Sequence, residues 1–256
     1  APDIKVMREF AVKEVKKTDE GVYVLDMGQN LSGFPYVKVK GKRGDVVRVI
    51  PGELLGSDGR VSQRSSGGPH FYEFILKGDG EEILEPKFTY YGFQYIQIEG
   101  ADLYTSENNS LLPVITEVKS RFVYNSAEET GTFKCSNELF NETHVLIQNA
   151  VKSNFQAVFT DCPQREKLGW LEQLHLDYSA IFDNYNLSNY IPKTVRDMLD
   201  GQYANGLVPS ICPEYVIFGG DFSDSPEWGI SSILVPWLYY EYYGDPSLIK
   251  KSYQMM

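Results

Sequence analysis

Residues that commonly build metal or redox centres are scarce in this sequence. Three cysteines (Cys135, Cys162, Cys212) and three histidines are spread through 256 residues. An odd, sparse set of cysteines excludes a disulfide framework, and its spacing fits no zinc pattern. The cysteines therefore read as buried free thiols, and no metal or other cofactor is implied. Unpaired thiols suit a reducing compartment without excluding the periplasm, so location stays open. Positive charge is also in deficit: 24 Lys and Arg face 35 Asp and Glu, for a net charge of −11. Neutralising phosphates takes clustered Lys and Arg. Nucleic acid and anionic membrane surfaces are thereby excluded as partners, while a neutral substrate is not repelled. No apolar run approaches the roughly 20 residues that span a bilayer. The opening "APDIKVMREF" lacks the apolar segment of a secretory leader. It also lacks an initiating Met, so a removed leader or a cut from a longer chain both remain open. Nothing in the sequence sets an oligomeric state.

Aromatic residues are plentiful at 14%, with 18 Tyr among them. Such rings stack on the C–H faces of sugars and also fill cores; composition alone favours the core. The first 120 or so residues read as β structure. "GVYVLDMG" alternates apolar and polar residues, and "YVKVKGKRGDVVRVI" carries two alternating runs around a Gly-Lys-Arg-Gly turn, a hairpin pattern. "HFYEFILKGDG" and "FQYIQIEG" follow, each closed by glycine. The polar stretch between Pro51 and Pro69 reads as a loop or excursion, and Arg43-Gly44-Asp45 as a tight turn rather than an adhesion motif. Short strands with Gly-rich turns predict an antiparallel β-sandwich over residues 1–125, whole or partial at its N-terminal edge.

The remainder, 126–256, reads as all-α. "SNELFNETHVLIQNAVKSNF" sets Leu139, Thr143, Leu146, Ala150 and Asn154 on one stripe, with Phe140, Ile147 and Val151 beside it. Ser136 or Asn137 can cap it, and Glu138 suits the first-turn dipole. "WLEQLHLDYSAIF" places Leu171, Leu174, Tyr178 and Ile181 at helical spacing. "NYIPKTVRDMLDGQY" does the same for Ile191, Val195, Met198 and Leu199, with Pro192 in the first turn. "SPEWGISSILVPWLYYEYYGD" starts at a Ser225 cap and ends at Gly244, with a kink expected at Pro236. A further helix starts at "PSLIKKSYQMM" and is cut off. The expectation is a fragment whose helical half carries an apolar face awaiting partners supplied elsewhere.

The chemistry concentrates in "TDCPQREKLGW", Thr160 to Trp170. Asp161, Glu166 and Glu172 are carboxyl groups close in sequence. Glycoside hydrolysis needs two carboxyls, one donating a proton to the leaving oxygen and one activating water or attacking the sugar carbon. The donor must hold its proton near neutral pH, through burial or a like-charged neighbour. Asp161 is placed to be that neighbour of Glu166. Arg165 offers a rigid fork for Asp161 or a sugar hydroxyl, and Trp170 a wall for a sugar ring. A plainer reading competes. Asp161 can be an N-cap with Gln164 three residues on and Pro163 in the first turn, which leaves Glu166 a surface acid and Trp170 a core residue. Composition alone favours the plainer reading.

The same stretch resembles the signature of the bacterial α-L-rhamnosidases, glycoside hydrolase family 78. "LDMGQNLSGFPYVKVKGKRGDVVRVIPGELL" and "YEFILKGDGEEILEPKFTYYGFQYIQIEG" resemble the β-domain that precedes that family's catalytic barrel. "GTFKCSNELFNETHVLIQNAVKSNF" resembles the barrel's entry helix and "DSPEWGISSILVPWLYYEYYGD" a later one lining the active site. The resemblance implies a β-sandwich followed by part of an (α/α)6 barrel, and an enzyme that removes terminal α-L-rhamnose from glycosides or polysaccharides with inversion. By motif position it makes Glu166 the general acid, with Asp161, Arg165 and Trp170 contacting rhamnose and Trp228 adding a second aromatic wall. A helix-packing role for Trp228 stands beside that one. Asp221 and Asp224, in "FGGDFSDSPEW", are either substrate contacts or surface turn acids.

The sequence departs from the family pattern at two points. Many members carry an acid three residues past the motif tryptophan, where this chain has Gln173 preceded by Glu172. A one-residue shift on a helix rotates a side chain by about 100°, so Glu172 is no automatic substitute. Many also read W-G-D-A where this chain has Trp228-Gly229-Ile230-Ser231. In the family the second catalytic carboxylate comes from a later barrel helix, so the general base is expected to be absent from these 256 residues. Two other readings remain: a non-catalytic sugar-binding protein on the same scaffold, and another (α/α)6 glycosidase of glucoamylase-like or trehalase-like type.

Overall fold

A computed structural model describes residues 1–18, 20–104 and 111–256. By its internal contacts the chain divides into two units. One comprises Val6–Tyr124 and, separately, Cys162–Glu166. The other comprises Ala1–Lys5, Asn125–Asp161 and Lys167–Met256.

Among the described residues the first unit is a curled, almost wholly antiparallel nine-stranded sheet with a separate two-stranded one, β5–β6. Its strands are β1 (Ile4–Ala11), β2 (Glu14–Lys17), β3 (Tyr23–Lys40), β4 (Val46–Gly52), β5 (Leu54–Leu55), β6 (Val61–Ser62), β7 (Tyr72–Ile75), β8 (Glu81–Leu84), β9 (Tyr91–Glu99), β10 (Asp102–Leu103) and β11 (Val114–Asn125). The main order is β1-β11-β3-β9-β4-β7, with β2 and β8 also pairing β3, and β10 lying parallel to β11. Alternation sets the faces. Val37, Val39, Val47 and Val49 are buried, while Lys38 between the first two reaches Glu117 at 2.8 Å. The core they join includes Leu25, Leu31, Phe93, Ile96, Ile98 and Phe122.

The hairpin expected around Gly41–Gly44 does not form. β9 lies between β3 and β4 and hydrogen-bonds to both. The turn itself is tight: Lys42 N–H donates to the Asp45 carboxylate at 2.7 Å, and Gly44 sits at φ +91°. Alternation fixes a strand's faces and leaves its partner open, so a later strand, antiparallel to both β3 and β4, took the place. "GVYVLDMG" and "YVKVK" also prove to be parts of one 18-residue strand, β3, with a register break between Asp26 and Leu31 in its pairing with β9. The excursion after Pro51 contains the small β5–β6 ladder.

The second unit is helical: α1 (Glu138–Asn154), α2 (Gln173–Leu176), α3 (Tyr178–Phe182), α4 (Ile191–Gly201), α5 (Pro226–Gly229), α6 (Ser231–Tyr243) and α7 (Ser247–Ser252). Asn137 caps α1, accepting from Leu139 N–H at 3.1 Å. Much of the apolar stripe of α1 faces solvent: Leu139, Phe140, Val145, Leu146 and Ile147 are all exposed. The core forms around Phe155, Leu171, Leu174, Tyr185, Tyr190, Ile191, Met198 and Val235. The rings of Phe155 and Phe159 stack at 4.4 Å, with Tyr190 edge-on to both. Each buried ring of this size contributes about 1.5–3 kcal/mol relative to exposure. Among the described residues, no helix is long and apolar enough to cross a membrane.

Three helix expectations need correction. "WLEQLHLDYSAIF" breaks into α2 and α3 at Asp177, with Tyr178 exposed. The segment after Ser225 divides into α5 and α6 at Ile230, and Ser225 gives no side-chain cap, because its hydroxyl bonds the Glu227 carboxylate. Pro236 lies inside α6, and Gly244 closes that helix at φ +67°. The cysteines also differ from expectation. Cys212 is buried, but Cys135 and Cys162 are half-buried because their sulfurs take part in turns. Cys135 Sγ–H reaches Asn137 C=O, and Cys162 Sγ accepts from Glu166 N–H, both at 3.3 Å.

Candidate active site

"TDCPQREKLGW" folds as a loop, not as the start of a helix, so Asp161 is no N-cap. Its backbone N–H donates to Leu168 C=O at 3.1 Å, and its carboxylate accepts from Leu168 N–H at 2.9 Å. This closes the helical unit's strand of chain on either side of the five residues Cys162–Glu166, which belong to the β unit.

Within the β unit those five residues are held by close backbone approach. Gly92 N–H donates to Pro163 C=O at 3.0 Å. A Cβ on Gly92 would lie 3.0 Å from Gln164 Cβ, Pro163 Cγ and Glu53 Oε1 alike. Glu53 is itself fixed by Asn30, whose amide donates to it at 2.8 Å. The Arg165 stem crosses Gly67, where a Cβ would come within 2.9 Å of Arg165 Cγ and where φ is +77°. Arg165 and Glu166 are both exposed and form an ion pair, Nη2 to Oε1 at 3.0 Å. Arg165 thus attends Glu166 itself. Gly92 announces its role in sequence, since a glycine inside a strand pattern marks a bulge or a close approach; nothing local marks Gly67.

Within the helical unit, the chain after Lys167 is clamped by Tyr215. Its hydroxyl donates to Lys167 C=O and accepts from Gly169 N–H at 3.1 Å. Lys167 has φ +55°, a left-handed conformation that costs a non-glycine residue about 1 kcal/mol. Burial pushes the Tyr215 phenol upward, the Gly169 amide opposes that, and the Asp161 carboxylate adds to it. Tyr215 is a site residue that no sequence pattern revealed.

Trp170 pairs as a bridge with Ile211, while Leu171 N–H donates to Ser210 C=O at 3.0 Å. The half-buried Trp170 indole joins an aromatic group. Phe218 stacks on it at 5.2 Å, Trp228 packs at 5.5 Å and Phe222 stands edge-on at 6.3 Å. Trp228 therefore does pack on neighbours, yet its Nε1–H is buried with no hydrogen-bond partner. Phe218 and Phe222 come from the Gly-rich loop that also carries Asp221 and Asp224. Asp221 is exposed on a 3-10 turn, and Asp224 is half-buried beside Ser223 and Ser225, which bond Ser210. Gln173 lines a cavity of about 300 Å³ with Asn154, Thr160, Asp177 and Phe159.

The chain thus carries a β domain followed in sequence by a helical one. Residues 128–256 match the model of the bacterial α-L-rhamnosidase six-hairpin glycosidase domain, and residues 16–124 match the model of the bacterial α-L-rhamnosidase concanavalin-like domain. The chain belongs to the bacterial α-L-rhamnosidase family. It is 32% identical over its whole length to an α-L-rhamnosidase of Formosa agariphila, covering 27% of that protein. An α-L-rhamnosidase of Streptomyces avermitilis is 30% identical over 96% of the chain, which covers 23% of it. The chain thus spans about a quarter of the length of the curated relatives it matches. Among solved structures, an α-L-rhamnosidase from Dictyoglumus thermophilum superposes with a TM-score of 0.86 at 31% identity, covering all of this chain and 28% of that one. The Streptomyces avermitilis α-L-rhamnosidase complexed with L-rhamnose superposes with a TM-score of 0.85 at 28% identity, covering 99% of this chain and 24% of that one.

Proposed function

We propose that the protein containing this chain is an inverting glycoside hydrolase that releases terminal α-L-rhamnose, with Glu166 as general acid. In this reading residues 1–125 are the β domain and 126–256 the opening part of the catalytic barrel. Membership of the rhamnosidase family carries the reading, together with relatives bearing that activity in their names, one of them complexed with L-rhamnose.

The chemistry follows from the groups. Glu166 donates its proton to the glycosidic oxygen as the C–O bond breaks, and water attacks the opposite face of the sugar, its proton taken by a second carboxylate. That base comes from chain outside these 256 residues; the quarter-length coverage of the relatives supports this assignment. Arg165, paired with the acid at 3.0 Å, holds the carboxylate left after proton transfer. Asp161 fixes the loop through its Leu168 bond and offers its remaining lone pairs to sugar hydroxyls. Trp170 and Trp228 supply apolar faces for the ring, and Gln173 and Asp224 supply polar contacts. No step calls for a cofactor.

Proton NMR of the first product tests this. The full-length protein acting on an aryl α-L-rhamnoside should release β-L-rhamnose before mutarotation. Release of the α-anomer would overturn inversion, and absence of turnover would leave the non-catalytic sugar-binding reading in its place.

A further inference from the structure

The excursion between β4 and β7 carries an open groove of about 940 Å³, lined among others by Leu54, Ser57, Asp58, Val61, Ser62 and Arg64. Ligand sites run to about 300–1,000 Å³. Both ends of the excursion are fixed to the segment that bears Glu166, and all of them belong to the β unit. At one end Glu53 Oε1, Pro163 Cγ and Gln164 Cβ all come within 3.0 Å of the point a Cβ on Gly92 would occupy, and Leu54 follows Glu53 directly. At the other end Arg165 Cγ lies 2.9 Å from the corresponding point at Gly67. Ser65, on the groove wall, is two residues from Gly67, at most about 7 Å of chain. Arg165 in turn pairs with Glu166 at 3.0 Å.

The backbone around the groove is held firmly. Leu54 and Leu55 pair with Ser62 and Val61, and Val61 N–H donates to Gln97 Oε1 at 3.0 Å. The Gln63 amide donates to Pro51 C=O at 2.7 Å and to His70 C=O at 2.8 Å, and accepts from His70 N–H at 3.0 Å. Ser66 N–H donates to Gln63 C=O at 3.0 Å, closing a turn with Arg64 and Ser65 at its centre. The nearby guanidinium groups are spent: Arg60 on Glu20 and Glu99, Arg48 on Glu73. Arg64 is exposed and forms no hydrogen bond or ion pair among the described residues. Its fork of donors is thus fixed at the base and uncommitted at the tip.

The chemistry of the lining narrows the ligand. Leu54, Leu55 and Val61 offer apolar contact beside the hydroxyls of Ser57 and Ser62, the Asp58 carboxylate and Arg64, with no aromatic ring among the described residues that line the groove. A sugar residue, with C–H faces and a ring of hydroxyls, suits such a wall; a flat phenolic group finds no ring to stack on. A general acid reaches the glycosidic oxygen, so the leaving group attached to that oxygen extends over the surface that carries the acid. We propose that this groove is the leaving-group site of the enzyme and takes a second sugar residue, with Arg64 as its charged contact. This rests on the rhamnosidase reading and narrows the substrate class to rhamnosyl saccharides in preference to rhamnosides of flat aromatic alcohols.

The test uses the full-length protein with α-L-rhamnosyl disaccharides, their second sugars both neutral and uronate, beside an aryl α-L-rhamnoside. Arg64→Ala should lower kcat/KM on at least one disaccharide by about 10-fold, as expected for a hydrogen bond from a charged group, and on the aryl rhamnoside by less than about 3-fold. Ser57→Trp, which fills the groove from an exposed turn position, should give the same selective loss. Both variants should melt with wild type, since both positions are exposed. Equal losses on disaccharide and aryl substrates, or disaccharide turnover untouched by either variant, would overturn this inference alone. So would a wild type that cleaves the aryl rhamnoside and no disaccharide. A wild type that cleaves neither would overturn the functional reading and this inference with it.

Discussion

Gly92 N–H donates to Pro163 C=O at 3.0 Å, and a Cβ at Gly92 would meet Gln164 Cβ, Pro163 Cγ and Glu53 Oε1 at 3.0 Å, so a side chain there makes the segment that carries Glu166 give by a few tenths of an ångström. Gly92→Ala should push Pro163 and Gln164 away from β9. Backbone shifts of this kind cost about 1–3 kcal/mol, and a displacement of about 1 Å at a reacting group costs about 10²-fold in rate. In the full-length protein both kcat and stability should fall. Parallel measurement of kcat and urea unfolding checks this; an unchanged kcat contradicts the positioning role.

Tyr215 closes the other side of the same stretch. Tyr215→Phe deletes both hydrogen bonds of its hydroxyl, leaving Lys167 C=O and Gly169 N–H to find other partners. The expected loss is about 1–2 kcal/mol by denaturant unfolding. Lys167→Gly should act oppositely, since glycine accepts φ +55° without strain, with a gain of at most about 1 kcal/mol. A destabilised Lys167→Gly would show that the lysine side chain outweighs the backbone strain.

The interior of the β unit was legible because period-two alternation places Val37, Val39, Val47 and Val49 directly. Strand pairing was not, because a hairpin and a β3-β9-β4 order demand the same alternation. Helix α4 was legible from Ile191, Val195 and Met198, whereas the break at Asp177 has no glycine or proline to announce it. At the site, residue types alone left Glu166 and Trp170 to the plainer reading, and the family resemblance singled them out. The residues that hold them, Gly67, Tyr215 and Phe218, lie roughly 100, 50 and 50 positions away, and only tertiary contact relates them.

His175 gives the helical unit a pH signature. Burial lowers its pKa below the ordinary 6.5, so the fold holds the neutral ring. Its share of stability is complete above that ordinary value and is lost as pH falls through the lower folded-state value. Melting temperature should drop on acidification from about pH 7 to 5. His175→Asn, which keeps a donor for Ser231, should flatten that part of the profile. An unaltered slope in the variant would contradict a neutral, half-buried His175.

The isolated 256-residue chain should not hydrolyse an aryl α-L-rhamnoside, while the full-length protein should. Steady-state assays at equal molarity separate them. Robust turnover by the isolated chain, abolished by Glu166→Gln, would place the general base within these residues and refute its assignment elsewhere.

Leaving-group dependence tests the role of Glu166 most directly. A general acid matters in proportion to the basicity of the oxygen it protonates. Glu166→Gln in the full-length protein should lose about 10²–10⁴-fold in kcat on an alkyl rhamnoside, and far less on an aryl rhamnoside whose phenolate departs unprotonated. The same loss on both substrates, or no loss on either, would contradict a proton-donating Glu166.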